Sequence, residues 1–180
     1  TFRTGREGGN PIAFDDNLYF DMNKALIKSR HLDMIDLELF MDKLRLKELI
    51  ATAHIYGVHV IMSNHDFHRT PGKEELMTRL MTMKRMEADI LKIAVMPKNE
   101  EDLLTLLEVT QQMKSRVPKQ ALVTISMGKQ GLLSRISGEI FGSSITFATM
   151  HGQSAPGQIP YEELQKVLQM IHQNLMSDDI

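Results

Sequence analysis

The chain contains no cysteine, which excludes disulfides and thiolate metal sites. No export signal is legible in the opening Thr-Phe-Arg-Thr-Gly-Arg-Glu-Gly-Gly, and the two absences together lead us to expect a cytoplasmic protein. No apolar run approaches the roughly 20 residues of a membrane-spanning helix. Charge of one sign is lacking too: 21 Lys and Arg nearly balance 23 Asp and Glu, for a net charge of −2. Nothing electrostatic therefore points to nucleic acid or an anionic membrane as partner, and a small molecule is expected instead. A Gly-x-Gly-x-x-Gly turn is also missing, so no dinucleotide-binding fingerprint is present. What the sequence does have is 42% hydrophobic and 24% charged residues over 180 positions, the composition of one soluble globular domain.

Short β-rich apolar runs alternate with helical patterns. Residues 34–40, 58–63, 91–96, 121–126 and 145–148 read as strands. Residues 16–29, 42–56, 73–86, 100–113 and 161–175 carry apolar side chains at three- and four-residue spacing and read as helices. Gly57 stands at a helix end, Thr70-Pro71-Gly72 breaks the chain before the next helix, and Pro160 opens the last one. Thr1-Phe2-Arg3 reads as the tail of a further strand, giving six strand-helix units. Strict β-α alternation implies a parallel sheet with right-handed crossovers, either open and doubly wound or closed into a barrel. Units of about 30 residues repeated eight times give about 240, near the size of a (β/α)8 barrel. On that count this chain supplies about the last six strand-helix units.

Active sites of such barrels lie at the C-terminal ends of the strands, and ionisable residues collect there. Arg3 and Glu7 close the first run, Asp36 and Glu38 occupy the second, Asn64-His65-Asp66 follow the third, and Lys92 lies inside the fourth. Lys92 is flanked by Ile90, Ile93 and Val95, a costly setting for an ammonium group. Alternation puts Lys92, Ala94 and Met96 on one face, where in a barrel they point inward, and a neutral amine there is a nucleophile toward ketones. The plainer alternatives are that Lys92 snorkels to solvent or pairs with Glu38. His65 emerges at a strand edge, where an imidazole serves as general acid and base; it could equally be an ordinary loop residue. His68 completes a His-x-x-His spacing that a metal would suit, without an obvious third ligand. Arg135 offers a donor fork for a carboxylate or is a solvated helix residue. Ser154-Ala-Pro-Gly-Gln158 has the small, turn-forming character of a loop that closes over a ligand. The 14 Met residues are taken as adaptable core filler.

Six blocks in order resemble the type I 3-dehydroquinate dehydratase family. They are Thr-Phe-Arg with Glu-Gly-Gly, Met-Ile-Asp-Leu-Glu, Met-Ser-Asn-His-Asp-Phe, Lys-Ile-Ala-Val-Met-Pro, the Ser-Arg with Gly-Glu-Ile-Phe-Gly-Ser stretch, and Ser-Ala-Pro-Gly-Gln. The resemblance implies a (β/α)8 TIM barrel, with residues 1–180 as one partial barrel domain. It implies a lyase that dehydrates 3-dehydroquinate to 3-dehydroshikimate in the shikimate pathway of aromatic amino acid biosynthesis, with no metal or organic cofactor. It further implies that Lys92 forms the Schiff base, that His65 donates and accepts protons, and that Glu7 orients His65. Arg3, Arg135, Ser154 and Gln158 would contact substrate, and the enzyme would be a homodimer. The family's first two strand-helix units and its N-terminal hairpin have no counterpart here, along with a Glu and an Arg that line the site, so an active chain would bind substrate weakly. The competing readings are a Schiff-base aldolase or transaldolase, a metal-dependent hydrolase using His65 and His68, and an inactive barrel fragment acting as a structural module.

Overall fold

The computed structural model describes residues 2–9, 15–152 and 155–177. Its main sheet has four parallel strands in sequential order: β1 (Met34–Glu38), β2 (His59–Asp66), β3 (Ile90–Val95) and β4 (Ala121–Ser126). Helices α1 (Asp16–Lys28), α2 (Lys43–Ile55), α3 (Lys73–Arg85) and α4 (Glu100–Arg116) precede or connect these strands. This is the expected α/β alternation of the barrel class. After β4 come two short helices, α5 (Leu132–Ile136) and α6 (Gly138–Phe141), a parallel two-stranded pair, β5 (Ala148–Thr149) with β6 (Ile159–Pro160), and helix α7 (Tyr161–Met176).

Local chemistry fixes the helix starts. Asp15, Asp42 and Asn99 each accept a backbone N–H from the first turn of α1, α2 and α4, at 2.7, 2.9 and 3.0 Å, satisfying donors that a helix leaves orphaned. Gly57 takes φ +74° just past α2, the left-handed turn that returns the chain to the sheet.

Strand alternation sorts the side chains into two populations. Leu37, Val60, Met62, Leu91, Ile93, Val95 and Leu122 pack against Ile27, Leu46, Ile50, Leu80 and Val109 of the helices in one large core. Each such buried aliphatic side chain contributes about 1.5–3 kcal/mol relative to exposure. The other face carries a smaller cluster of Ile90, Ala94, Val123, Ile125 and Met127, and on it the polar residues Asp36, Ser63 and Lys92 are buried.

Three expectations need correction. Phe2, Arg3 and Thr4 form no strand; the Thr4 N–H and Oγ1 instead bond Glu38 at 2.6 and 2.7 Å, so side-chain bonds rather than a ladder tie this segment to β1. The run 145–148 contributes only Ala148 to a strand. Ahead of it, Ser144 N–H meets the Leu122 carbonyl at 2.7 Å and the Ser143 hydroxyl accepts from Thr124 N–H at 3.1 Å, taking ladder positions beside β4. Asn64, His65 and Asp66 lie inside β2 rather than after it, paired with Ile93, Ala94 and Val95. Among the described residues no helix is long and apolar enough to cross a membrane.

Candidate active site

Lys92 sits on β3 with Ser63 of β2 and Val123 of β4 as register partners. It is 9% exposed, and its Nζ lies 3.0 Å from Asp36 Oδ2 and 4.9 Å from the centre of the Phe147 ring. The partner is thus Asp36 and not Glu38, whose carboxylate is occupied by Thr4. Arg3 Nη2 meets the same Asp36 oxygen at 3.0 Å, and the Ser63 hydroxyl donates to the other oxygen at 2.5 Å. Burial opposes the Asp36 charge, but Lys92, Arg3 and the Ser63 hydrogen bond more than offset it and hold the carboxyl below its ordinary value. Glu38 moves the other way: burial pushes it up, against the pull of the two Thr4 bonds.

His65 lies two residues along β2 from Ser63, on the same face. Its Nδ1 is 3.1 Å from Glu7 Oε2 and 2.8 Å from Arg3 Nη1, contacts that ask for opposite tautomers. Arg3 Nη1 has other acceptors for its hydrogens, Ser63 Oγ at 3.2 Å and Glu7 Oε2 at 3.5 Å. An unprotonated Nδ1 would leave two acceptors facing each other across the Glu7 contact. We therefore assign the Nδ1 proton to the Glu7 bond, leaving the Nε2 lone pair available. Burial pushes the His65 pKa down despite the Glu7 hydrogen bond, with Arg3 and Lys92 adding to the fall. The imidazole is then a neutral base at pH 7.

Glu7 is buried at the end of a single 3-10 turn, Gly5–Glu7. The following Gly8 takes φ +81°, and a Cβ there would fall 2.4 Å from the Phe67 ring. Only glycine permits this turn, which delivers Glu7 to His65.

A cavity of about 210 Å³ is lined by Arg3, Gly8, His65, Phe67, Lys92, Ala94, Ile125, Met127, Arg135, Phe147, Ala155 and Gln158. Five sequence-predicted residues therefore share one cavity, and Glu7 stands behind His65. Ser154 lies outside the described residues. Arg135, on α5, is 1% exposed; its Nη2 donates to the Pro156 carbonyl at 2.8 Å, and its Nε is buried without a partner. Among the described residues no carboxylate pairs with it, and burial pushes its pKa down. A buried guanidinium lacking a counter-charge is suited to receive an anionic group. Asp36, Ser63 and Phe147 were not predicted as site residues. Asp36 had a signal, a carboxylate on the same strand face as Glu38, whereas Phe147 reaches Lys92 from an irregular segment and had none. Among the described residues no three of His, Cys, Asp or Glu converge as metal ligands.

The model of the type I 3-dehydroquinase family matches residues 1–175. The chain belongs to the type I 3-dehydroquinase family. It is 46% identical over 175 residues to a 3-dehydroquinate dehydratase of Bacillus velezensis, covering 97% of this chain and 69% of that protein. With one from Clostridium novyi the identity is 48%, over 96% of this chain and 68% of the other. Among solved structures, the type I 3-dehydroquinate dehydratase of Clostridium difficile, determined with covalently modified comenic acid, superposes at a TM-score of 0.91. Its identity is 44%, over 96% of this chain and 68% of that one. For a type I 3-dehydroquinase, the cavity at the C-terminal ends of β2, β3 and β4 lies where a parallel α/β barrel places its chemistry.

Proposed function

We infer that this protein is a hydro-lyase that dehydrates 3-dehydroquinate to 3-dehydroshikimate, a step of the shikimate pathway and aromatic amino acid biosynthesis. The observation that carries the reading is a buried lysine opening into one cavity with a histidine backed by Glu7 and an arginine that has no carboxylate partner among the described residues. His65 Nε2 first takes a proton from the Lys92 ammonium held by Asp36, and the freed amine adds to the ring ketone. His65 passes that proton to the carbinolamine hydroxyl, which leaves as water, and the resulting iminium makes the neighbouring carbon acidic. His65 Nε2 takes the proton from that carbon, and the imidazolium, with its charge balanced by Glu7, returns it to the departing hydroxyl, which leaves as water. Hydrolysis of the imine then frees product and Lys92. Arg135 holds the substrate carboxylate through paired N–H donors. Arg3, Ser154 and Gln158 contact the hydroxyls and ring; Arg3 and Gln158 line the cavity that the substrate would fill. No metal or organic cofactor enters this scheme.

We also read residues 1–180 as part of a single barrel domain, contributing about its last six strand-helix units, in a cytoplasmic homodimer. The share of the relatives' length that the chain spans supports the first of these statements.

The test is to mix the chain with 3-dehydroquinate, reduce with borohydride and locate any adduct by peptide mass spectrometry. An adduct on Lys92, absent from Lys92→Met, is the expected result. An adduct on a different lysine, or none while dehydration proceeds, would overturn the Lys92 assignment; no turnover and no adduct would overturn the activity.

A further inference from the structure

We propose that Asn64 and Arg79 form a positioning pair that holds Glu7 in the one orientation in which His65 can act as a base. Neither residue lines the cavity that contains Lys92; both lie on the far side of Glu7. The proposal rests on the activity inferred above.

Asn64 alternates with Ser63 and His65 along β2, so its side chain leaves the strand on the helix side, where α3 carries Arg79. Arg79 Nη1 donates to Asn64 Oδ1. A guanidinium has only donors, so this contact settles which way the Asn64 amide faces: oxygen to Arg79, nitrogen to Glu7. Asn64 Nδ2 then donates to Glu7 Oε1 at 2.9 Å, between two buried side chains. Arg79 is itself held, by Glu75 through Nη2 and over the Phe40 ring at 5.2 Å.

Glu7 is consequently gripped at both oxygens. Asn64 takes Oε1, while Oε2 accepts the His65 backbone N–H at 2.9 Å and faces Nδ1 at 3.1 Å. Two fixed points on one oxygen and one on the other determine the carboxylate plane. Remove the Asn64 donor and only Oε2 stays held, by the His65 backbone N–H, so the carboxylate can turn about that oxygen until its lone pairs no longer point at Nδ1. The other neighbour of Nδ1, Arg3 Nη1 at 2.8 Å, is a donor and then competes for that nitrogen on better terms. Neutral His65 then moves its proton to Nε2 and accepts from Arg3 at Nδ1. That tautomer presents no lone pair at the nitrogen that must abstract the substrate proton, so a contact two side chains removed from the substrate decides whether the base is available.

The test uses the full chain and three variants: Asn64→Leu, which keeps shape without donors, Arg79→Met, and Arg79→Lys, which keeps a donor for Oδ1. Imidazole 15N shifts, recorded above pH 7 where His65 is neutral, read the tautomer without substrate. The parent is expected to show Nδ1–H, Asn64→Leu and Arg79→Met to show Nε2–H, and Arg79→Lys to recover Nδ1–H. With 3-dehydroquinate, kcat should fall at least about tenfold in the first two variants, out of the roughly 100- to 10,000-fold that acid–base catalysis supplies, and Arg79→Lys should restore most of it. KM should stay within about twofold, since only an interaction made in the transition state is lost. A folded Arg79→Met that keeps Nδ1–H, or whose kcat stays within twofold of the parent, overturns the proposal; Arg79→Met also carries the test if Asn64→Leu does not fold. A parent that does not dehydrate 3-dehydroquinate counts against the inferred activity alone, and the 15N shifts still decide the positioning.

Discussion

Replacing Asp36 by Asn tests whether the site is held by charge or by shape. Asp36 Oδ2 meets Lys92 Nζ and Arg3 Nη2, each at 3.0 Å. At an effective dielectric near 20, each attraction amounts to about 5 kcal/mol. Most of that gross gain is offset, because taking an ion out of water costs several kcal/mol. The variant recovers little of that cost: Lys92 and Arg3 stay where they are, and among the described residues Lys92 keeps only the Phe147 ring as a neighbour of suitable sign. The expected loss is therefore that of breaking a buried pair, about 3–5 kcal/mol, although Asn retains the bond to Ser63. Urea unfolding at pH 7 measures it as a lower midpoint at unchanged slope. The effect has a defined pH dependence. The Asp36 pKa is lowered in the folded state, so its stabilisation is complete above the unfolded carboxyl value near 4 and is lost as the pH falls on through the folded value. Parent and variant should thus converge only in acid. A difference below about 1 kcal/mol at pH 7 would refute the reasoning, because the desolvation cost would then cancel the attraction entirely. So would a Lys92→Met change that costs as much in the Asp36→Asn background as alone, since coupled partners are non-additive.

The His65 pKa is lowered by burial, so its contribution to stability is intact above the unfolded value near 6.5 and is lost as the pH falls below it; a pH series of melts should show the parent weakening relative to His65→Asn in that range. Arg135→Met removes the cavity's guanidinium, which has no carboxylate partner among the described residues, and one lost charged hydrogen bond of about 1.5–3 kcal/mol should raise KM for 3-dehydroquinate at least about tenfold; an unchanged KM would show that the carboxylate binds elsewhere. Gly8→Ala forces a Cβ against Phe67 at a positive φ, and strain of about 1–3 kcal/mol should lower the melting temperature and displace Glu7, lowering kcat. A melting temperature within a degree of the parent would refute that account of the turn.

The helices and the four main strands were legible because period and punctuation agree along residues 16–126: Thr70-Pro71-Gly72 breaks the chain just before α3, and Gly57 closes the end of α2. The end of β2 was misplaced because Ser63-Asn-His-Asp is polar, and polarity at a strand tip resembles a loop. It is strand here because Asn64, His65 and Asp66 still find register partners on β3. Residues 145–148 were misread for the opposite reason. Their β-branched and aromatic residues suit a strand, but Ser143 and Ser144 already use the nearby β4 backbone groups, and the segment's work is to bring Phe147 over Lys92.

The partner of Lys92 shows where one-dimensional reasoning stops. Glu38 pairs with Ser63, and Ser63 with Lys92, across the sheet, so register alone puts Glu38 level with the lysine and favours the Lys92–Glu38 pair that the sequence offered as one alternative. Two facts from outside the sheet reverse the outcome. Thr4 takes both Glu38 oxygens, and Arg3, one residue earlier, delivers a second cation to Asp36. Side-chain alternation can state which residues face the cavity, since it depends on neighbours in sequence. Which carboxylate neutralises which cation depends on a segment that arrives from outside the ladder, and only three-dimensional packing fixes that. The residues that carry the proposed chemistry were therefore found by alternation and resemblance; Asp36 and Asn64 already stood among the polar residues at the strand ends, but that they and Arg79 set charge and orientation is visible only through their contacts.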